Sequence, residues 1–168
     1  MGGNEQRLKL SDIAAALGVP LTRLKTMRAR GQSGTWDAWT EDIPADVAGP
    51  GWRFYSMTDA VALACVLDLV ERGVNSDVAG SIIWNVRQHI YDGPHPRVGS
   101  PADIFVGALY LSEGRAHVGG PLGDVLKDID RHVRADIRAF ENGGGTGLFL
   151  VNASRHYRRL LEKLPDAE

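Results

Sequence analysis

Residues 18–31 of the chain read GVPLTRLKTMRARG, and this short basic stretch decides how the N-terminal half is interpreted. Pro20 suits a first helical position, so the sequence predicts that a helix begins here. At 100° per residue, Leu21 and Leu24 lie on one side of that helix together with the stem of Arg28. The opposite side would turn a cationic, hydrogen-bonding face outward, formed by Thr22, Arg23, Thr26 and Arg30.

The residues before this helix complete a helix-turn-helix pattern. Residues 10–18 read LSDIAAALG and predict a short helix with Ile13 and Leu17 on one face. Ser11 is the predicted N-cap, and Gly18 ends the helix. Two short helices joined by a tight glycine turn form a helix-turn-helix. An alanine-rich helical hairpin without any DNA-binding role would give the same pattern.

Charge is unevenly distributed along the chain. The net charge of the 168 residues is only −2, which excludes a uniformly basic nucleic-acid coat protein. Residues 7–31 nonetheless carry six basic side chains and one acidic one, whereas residues 32–54 carry four acidic side chains and one basic one. Because local charge determines where an anion binds, the weak overall charge is compatible with DNA binding.

The composition also indicates a compartment. The single cysteine, Cys65, allows no internal disulfide and suits a reducing environment. Residues 1–7 are polar and lack the apolar core of a signal peptide. No apolar run approaches the roughly 20 residues that span a bilayer. We therefore expect a cytoplasmic protein without a membrane partner, associated with the nucleoid when it binds DNA.

The middle of the chain predicts a ribbon followed by two helices. Residues 32–55 contain glycine, proline and three tryptophans, and they predict a loop or ribbon that ends in a short strand. Ser56 is the predicted N-cap of a helix over residues 57–72. A further helix follows, capped by Asn75 or Ser76.

A proline- and glycine-rich stretch separates this half from the rest. Residues 91–101 read YDGPHPRVGSP and predict a linker between two domains. The sequence therefore predicts an α+β protein, with a mostly α-helical N-terminal domain over residues 8–90 and a small α+β domain over residues 102–168. The second domain has the predicted order β-β-α-β-α, with strands at 104–111, 116–118 and 148–151, a helix from Leu122 to Phe140, and a last helix capped by Ser154.

The helix that begins at Leu122 has the clearest amphipathic pattern in the chain. Because a sheet must be covered on its apolar face, we predict that the apolar stripe of this helix is core rather than an interface. The stripe consists of Leu122, Val125, Leu126, Ile129, Val133, Ile137 and Phe140.

Three stretches resemble, in the same order, the DNA-binding domain of the MerR family of bacterial regulators. Residues 13–19, IAAALGV, match that family's first helix and turn. Residues 51–56, GWRFYS, resemble its wing-closing pattern, and residues 67–78, LDLVERGVNSDV, resemble its later helix, turn and final helix. The resemblance covers about residues 8–90. It implies a winged helix-turn-helix, with the second helix in the major groove and the wing on the phosphate backbone.

What the resemblance implies is a sequence-specific transcriptional regulator that binds double-stranded DNA as a homodimer. On the second helix, Thr22, Arg23, Thr26 and Arg30 are the expected groove-facing residues. Lys25 and Arg28 are expected to flank them toward phosphate, and Arg53 is the expected phosphate contact of the wing. The alternatives are a solvated basic helix face, and an ion pair between Arg53 and a nearby acid.

The chain also departs from the family. Thr26 and Met27 stand where the family carries aromatic residues, and the segment before the wing pattern is longer and acidic. The sequence Asp-Gly-Pro-His-Pro at residues 92–96 breaks the chain where the family's long dimerisation helix would run. Dimerisation, sensing of a small-molecule or protein effector, or both are therefore left to the C-terminal domain.

The remaining motifs do not predict an enzyme. Asp128, His132 and Asp136 recur every four residues, but this face offers too few ligands for a metal site. The glycine-rich residues 143–147 precede a strand, whereas a phosphate loop follows one. Residues 118–123 do lie between a predicted strand and a helix, but they lack the lysine of a phosphate loop and the full dinucleotide-binding pattern. We therefore expect no catalysis, no cofactor and no metal. Two alternatives stay open: a DNA-architectural or recombination-accessory protein of a mobile element, and an enzyme or interaction module with a degenerate helix-turn-helix.

Overall fold

The structure, a computed structural model, describes residues 8–30, 55–92, 103–136 and 147–164. These ranges form a mixed fold of helices and one antiparallel sheet, which confirms the predicted α+β class. In chain order the elements are α1 (Leu10–Leu17), α2 (Leu21–Ala29), α3 (Met57–Glu71), α4 (Ser76–Asp92), β1 (Ile104–Leu111), β2 (Gly114–Pro121), α5 (Leu122–Ala135), β3 (Leu148–Asn152) and α6 (Ala153–Lys163).

Helices α1 and α2 are joined by a tight turn at Gly18. This residue adopts a left-handed backbone conformation with φ +70°, which a side chain would disfavour. The amides of Gly18 and Val19 donate hydrogen bonds to the carbonyls of Ala15 and Ala14, which closes the end of α1. The predicted pair of short helices with a glycine turn is therefore present.

Both of these helices begin differently from the prediction. Lys9, rather than Ser11, is the N-cap of α1, because its carbonyl already accepts from the amides of Asp12 and Ile13. Ser11 is the second residue of α1, and its exposed hydroxyl donates to the carboxylate of Asp12. Pro20 is the N-cap of α2, with an extended backbone, and not its first helical residue.

Helix α3 begins with the predicted cap and is buried along most of its length. The Ser56 hydroxyl accepts from the amide of Asp59 at 3.1 Å, and the Asp59 carboxylate accepts from the amide of Ser56 at 2.8 Å. This reciprocal capping box satisfies two amides that the helix itself leaves unpaired. Eleven of the 15 residues of α3 are buried, so the helix has no side that faces water throughout.

The three strands lie in the order β2-β1-β3, and both pairings are antiparallel. Strand β1 has the predicted bounds, whereas β2 is longer than the predicted 116–118 and β3 extends one residue further. Alternation along the strands places Val106 on one face and Leu109 on the other. The Val106 face belongs to the main core, and α5 lies over the opposite face.

The main core joins both halves of the chain. Its buried residues include Leu24 and Leu63 from the N-terminal half, and Val106 and Leu160 from the C-terminal half. Helix α6 packs on α3 and also contacts α1. The two predicted domains therefore share one core. Of the predicted linker, Tyr91 and Asp92 belong to α4 and the rest lies outside the described residues, so the division into domains stays a prediction.

Helix α5 covers its face of the sheet incompletely. Val125 is fully buried, but the side chains of Leu122 and Leu126 are 43% and 54% exposed. The carboxylate of Asp136 accepts from the amide and the hydroxyl of Ser112, which ties the end of the helix to the β1–β2 turn. The helix therefore contacts the sheet with one edge of its stripe. Of the remaining stripe residues, Ile129 and Val133 are half-buried, and Ile137 and Phe140 lie outside the described residues.

The start of β1 is hydrogen-bonded to the start of α6. The amide of Ile104 donates to the hydroxyl of Ser154 at 2.9 Å, and Ser154 is only 4% exposed. The predicted cap at Ser154 is therefore wrong, because this hydroxyl serves a strand 50 residues away. Asn152 caps α6 instead, by accepting from the amide of Arg155 at 2.8 Å.

An ion pair strengthens the same junction. Arg158 donates two hydrogen bonds to the Asp103 carboxylate, at 2.7 and 2.9 Å, and Asn152 donates a third at 2.7 Å. The hydrogen bonds from Arg158 and Asn152 lower the pKa of Asp103 to about 2. Asp103 is therefore ionised at neutral pH, and it fixes α6 to the strand that runs through the centre of the sheet.

We predict that Ser154→Ala destabilises the protein, because it leaves the buried amide of Ile104 without its acceptor. The expected loss in the free energy of unfolding is about 1–3 kcal/mol, measured by urea denaturation. Hydrogen exchange at the Ile104 amide should accelerate more than exchange elsewhere in β1. Ser11→Ala, which removes an exposed hydroxyl, is the control and should change stability by less than about 0.5 kcal/mol. Equal stability of the two variants would contradict the prediction.

Candidate nucleic-acid interface

Helix α2 is held to the core by two side chains. Leu24 is 1% exposed and Met27 is 5% exposed. The sequence predicted an apolar side formed by Leu21, Leu24 and the stem of Arg28. In the structure Leu21 and Arg28 are only half-buried. The signal for Met27 was its position three residues after Leu24, which puts both side chains on one face.

The opposite face of α2 points away from the core. Arg23 lies at one edge of this face and Arg28 at the other, and both are half-buried. The sequence predicts six residues here that contact DNA. The structure places four of them together on the exposed face, and Arg23 and Arg28 lie at the two borders of that face. We call the exposed set the α2 outer face, and it consists of Thr22, Lys25, Thr26, Ala29 and Arg30.

The α2 outer face and its borders are cationic. Helix α2 has no acidic residue, and neither its three basic side chains nor Arg30, which caps its C-terminus, forms an ion pair with another residue of the described ranges. Arg28 lies in the last turn, where a positive charge also favours the helix dipole. Within the described residues, no carboxylate is paired with Lys25 or Arg30.

The dimensions of the helix suit a DNA groove. An α-helix with its side chains is about 10–12 Å in diameter, and the major groove is about 12 Å wide. Ala29 adds no long side chain to the outer face, so the backbone can approach a surface closely. Arginine can donate two hydrogen bonds to guanine, whereas lysine and threonine more often contact phosphate.

The predicted wing lies mostly outside the described residues, including Trp52 and Arg53. Its last residue, Tyr55, is described and is 2% exposed. Tyr55 and Leu8 exchange two backbone hydrogen bonds of 2.8 and 2.9 Å, so the chain returns from residues 31–54 directly beside the start of α1. At this burial the Tyr55 ring packs inside the protein.

The other motifs of the sequence have structural partners. The Asp136 carboxylate accepts two hydrogen bonds from Ser112, and Asp128 forms an ion pair with Arg131 at 3.0 Å. Within the described ranges, no three residues among histidine, cysteine, aspartate and glutamate are grouped as metal ligands would be. Gly119 packs against the ring of His89, where a Cβ atom would collide with it. This glycine therefore serves packing between α4 and β2.

No protein-family model matches the chain, and no curated protein is significantly similar to it. Among the helices that the structure describes, none has both the length and the apolar character required to cross a bilayer.

The orientation of α2 can be tested by stability measurements. Met27→Ala removes a buried side chain and should lower the free energy of unfolding by about 2–4 kcal/mol. Lys25→Ala, two residues away on the outer face, should change it by less than about 0.5 kcal/mol. Urea denaturation followed by circular dichroism measures both. A larger loss for Lys25→Ala than for Met27→Ala would mean that α2 is rotated relative to the orientation described.

Proposed function

We propose that the protein is a sequence-specific DNA-binding transcriptional regulator whose helix α2 enters the major groove. The observation that carries the proposal is the α2 outer face: a cationic, hydrogen-bonding surface on a helix seated by Leu24 and Met27. The preceding helix and the Gly18 turn support it, since this is the arrangement of a helix-turn-helix. The sequence resemblance to the MerR family over residues 8–90 is the second support.

Each side chain has a role within this proposal. Arg30 reads a base edge, with Thr22 and Thr26 beside it on the same face. Lys25 contacts phosphate, and Arg23 and Arg28 reach the backbone from the two borders. Arg53 supplies the wing contact that the family resemblance implies.

The proposal includes a homodimer located in the cytoplasm. One helix of nine residues offers few base contacts, so tight and specific binding calls for two half-sites related by the symmetry of a dimer. Helix α5 offers a surface for this contact, because Leu122 and Leu126 are about half exposed. Its charged residues are already paired within the helix, as in Lys127–Asp124 and Arg134–Asp130, so the leucines can be covered without leaving a charge unpaired.

Selection from a pool of duplexes with a randomised 20-base-pair core tests DNA binding. We expect enrichment of an inverted repeat, and binding of the enriched duplex should weaken steeply with salt. Lys25→Ala with Arg30→Ala should weaken that binding at least about a hundredfold, as expected when each protomer of the dimer loses a base contact and a phosphate contact. The slope of log K against log salt concentration should become shallower by about 2, one for each protomer.

The matched control removes the same two charges elsewhere. Arg87→Ala on α4 with Lys163→Ala on α6 should leave the DNA affinity unchanged, and circular dichroism should show that both double variants are folded. If no sequence is enriched, or if the two double variants lose affinity equally, specific recognition by α2 is refuted. Enrichment of direct or irregular arrays in place of an inverted repeat would favour the architectural role over the regulatory one.

Sedimentation equilibrium tests the dimer. Leu126→Lys places a charge in the exposed apolar stripe, and we expect it to convert the dimer to a monomer. Ala135→Lys adds the same charge on an exposed, polar side of the same helix and should leave the dimer intact. A wild-type protein that is monomeric at about 50 times the concentration of half-maximal DNA binding would contradict the homodimer.

A further inference from the structure

A cleft of about 260 Å³ lies between the α1–α2 turn, α3 and α6. It is smaller than the pockets of about 300–1,000 Å³ that hold drug-sized ligands, so its size suits a compact molecule. One part of its lining is apolar and comes from Leu17, Val19, Ala64 and Leu67. Leu67 and Ala64 belong to the buried surface of α3, and Leu17 and Val19 are half-buried beside them.

One of the two acidic residues in the lining, Asp68, already has partners. The Asp68 carboxylate accepts from Arg72 at 2.7 Å and is 3.0 Å from the ring nitrogen Nε2 of His156. Burial raises the pKa of Asp68, but the hydrogen bonds with Arg72 and His156 outweigh burial and hold the pKa below its ordinary value. Asp68 is therefore ionised at neutral pH and neutralised inside the cleft.

Two further guanidinium groups line the cleft without such a partner. Arg155 and Arg159 lie one helical turn apart on α6, both are exposed, and neither forms an ion pair with a residue of the described ranges. With Arg72 the lining has three guanidinium groups, against the carboxylates of Asp68 and Glu71. Arginine pairs on neighbouring turns bind carboxylate and phosphate groups through several hydrogen bonds.

We propose that this cleft binds a small organic anion, a carboxylate or phosphate ester that carries a compact apolar group. Arg155 and Arg159 bind the anionic group, and the apolar group packs against Leu67 and Val19. Recognition needs both parts, because the cleft joins an apolar wall to a cationic one. An inorganic anion would leave the apolar residues of the cleft exposed to water. A neutral apolar molecule would form no ion pair with Arg155 and Arg159.

The position of the cleft gives such a ligand a route to α2. Leu17 and Val19 stand on either side of Gly18, the residue on which the angle between α1 and α2 depends. A ligand that differs in affinity between two positions of this turn shifts the population between them. This regulatory role rests on the proposed DNA-binding function, whereas the ligand site itself does not.

Nuclear magnetic resonance of the methyl-labelled full chain, with phenyl phosphate as the probe, tests the site. We expect saturable shifts of the Leu17, Val19, Ala64 and Leu67 methyl signals, with a Kd on the order of 1 mM for a ligand of this size. Inorganic phosphate and phenol, each with half of the recognised chemistry, should bind at least tenfold more weakly. Absence of saturable shifts, or equal binding of phenol, overturns the proposal.

Two variants assign the binding to the cleft. Arg155→Ala with Arg159→Ala should weaken phenyl phosphate at least tenfold, while Arg131→Ala with Lys163→Ala, which removes the same charge away from the cleft, should not. Val19→Phe fills the apolar part and should block binding with both arginines in place. Thermal melting shows that each variant is folded. Unchanged binding in the Arg155/Arg159 variant, or an equal loss in the control, overturns the assignment.

The regulatory role has a separate measurement. Affinity for the enriched duplex is compared with and without saturating phenyl phosphate, and we expect at least a threefold change that Val19→Phe removes. Ligand binding without any change in DNA affinity overturns the regulation but leaves the site intact. Failure of DNA binding itself is already visible without phenyl phosphate, so the two failures are distinguishable.

Discussion

Helix α3 is apolar around its whole circumference, and the rest of the fold is arranged to keep it out of water. A helix with apolar residues on all sides is stable only when it is covered on all sides. Helix α4, helix α6 and strand β3 all pack on it, so segments from both halves of the chain are needed to cover one helix. The same burial raises the pKa of the Cys65 thiol, which behaves here as a small apolar side chain.

This constraint also explains why α2 is free to present a polar surface. The core is completed by α1, where Ile13, Ala14 and Ala16 are buried, and α2 adds only Leu24 and Met27. A helix that contributes two anchors can vary the rest of its surface without loss of core packing. Core packing among the described residues therefore does not account for the cationic side chains of α2.

Local sequence patterns predicted most of the helices and strands. They could not predict the features that depend on tertiary contacts. Strand β1 and the Ser56 cap follow from an apolar run and from a serine placed three residues before an acid, both of which are local signals. Ser154 looks like a cap in the sequence, yet its hydroxyl bonds to Ile104, a partner that only the folded chain brings near. The shared core of the two predicted domains is non-local in the same way.

The candidate site shows the same limit at finer scale. Helical periodicity separates an apolar side of α2 from a polar one, but it fixes the orientation only to within about one residue, or 100°. The choice of Met27 over Leu21 as the second anchor moved Lys25 into the exposed face and Arg23 to its edge. For α5, periodicity identified the stripe, but the Asp136–Ser112 hydrogen bonds determined which edge of it meets the sheet.

The cleft beside the α1–α2 turn arises where the apolar circumference of α3 ends. Asp68 and Glu71 lie in the last turn of the helix and Arg72 follows it, so helix α6 cannot close against this end by apolar packing alone. The gap is bridged by the Asp68–His156 contact, which holds α6 at a distance that leaves a lined space. Because charge interrupts the core next to the turn that supports α2, a molecule that fills this space would act at the point where α2 joins the fold.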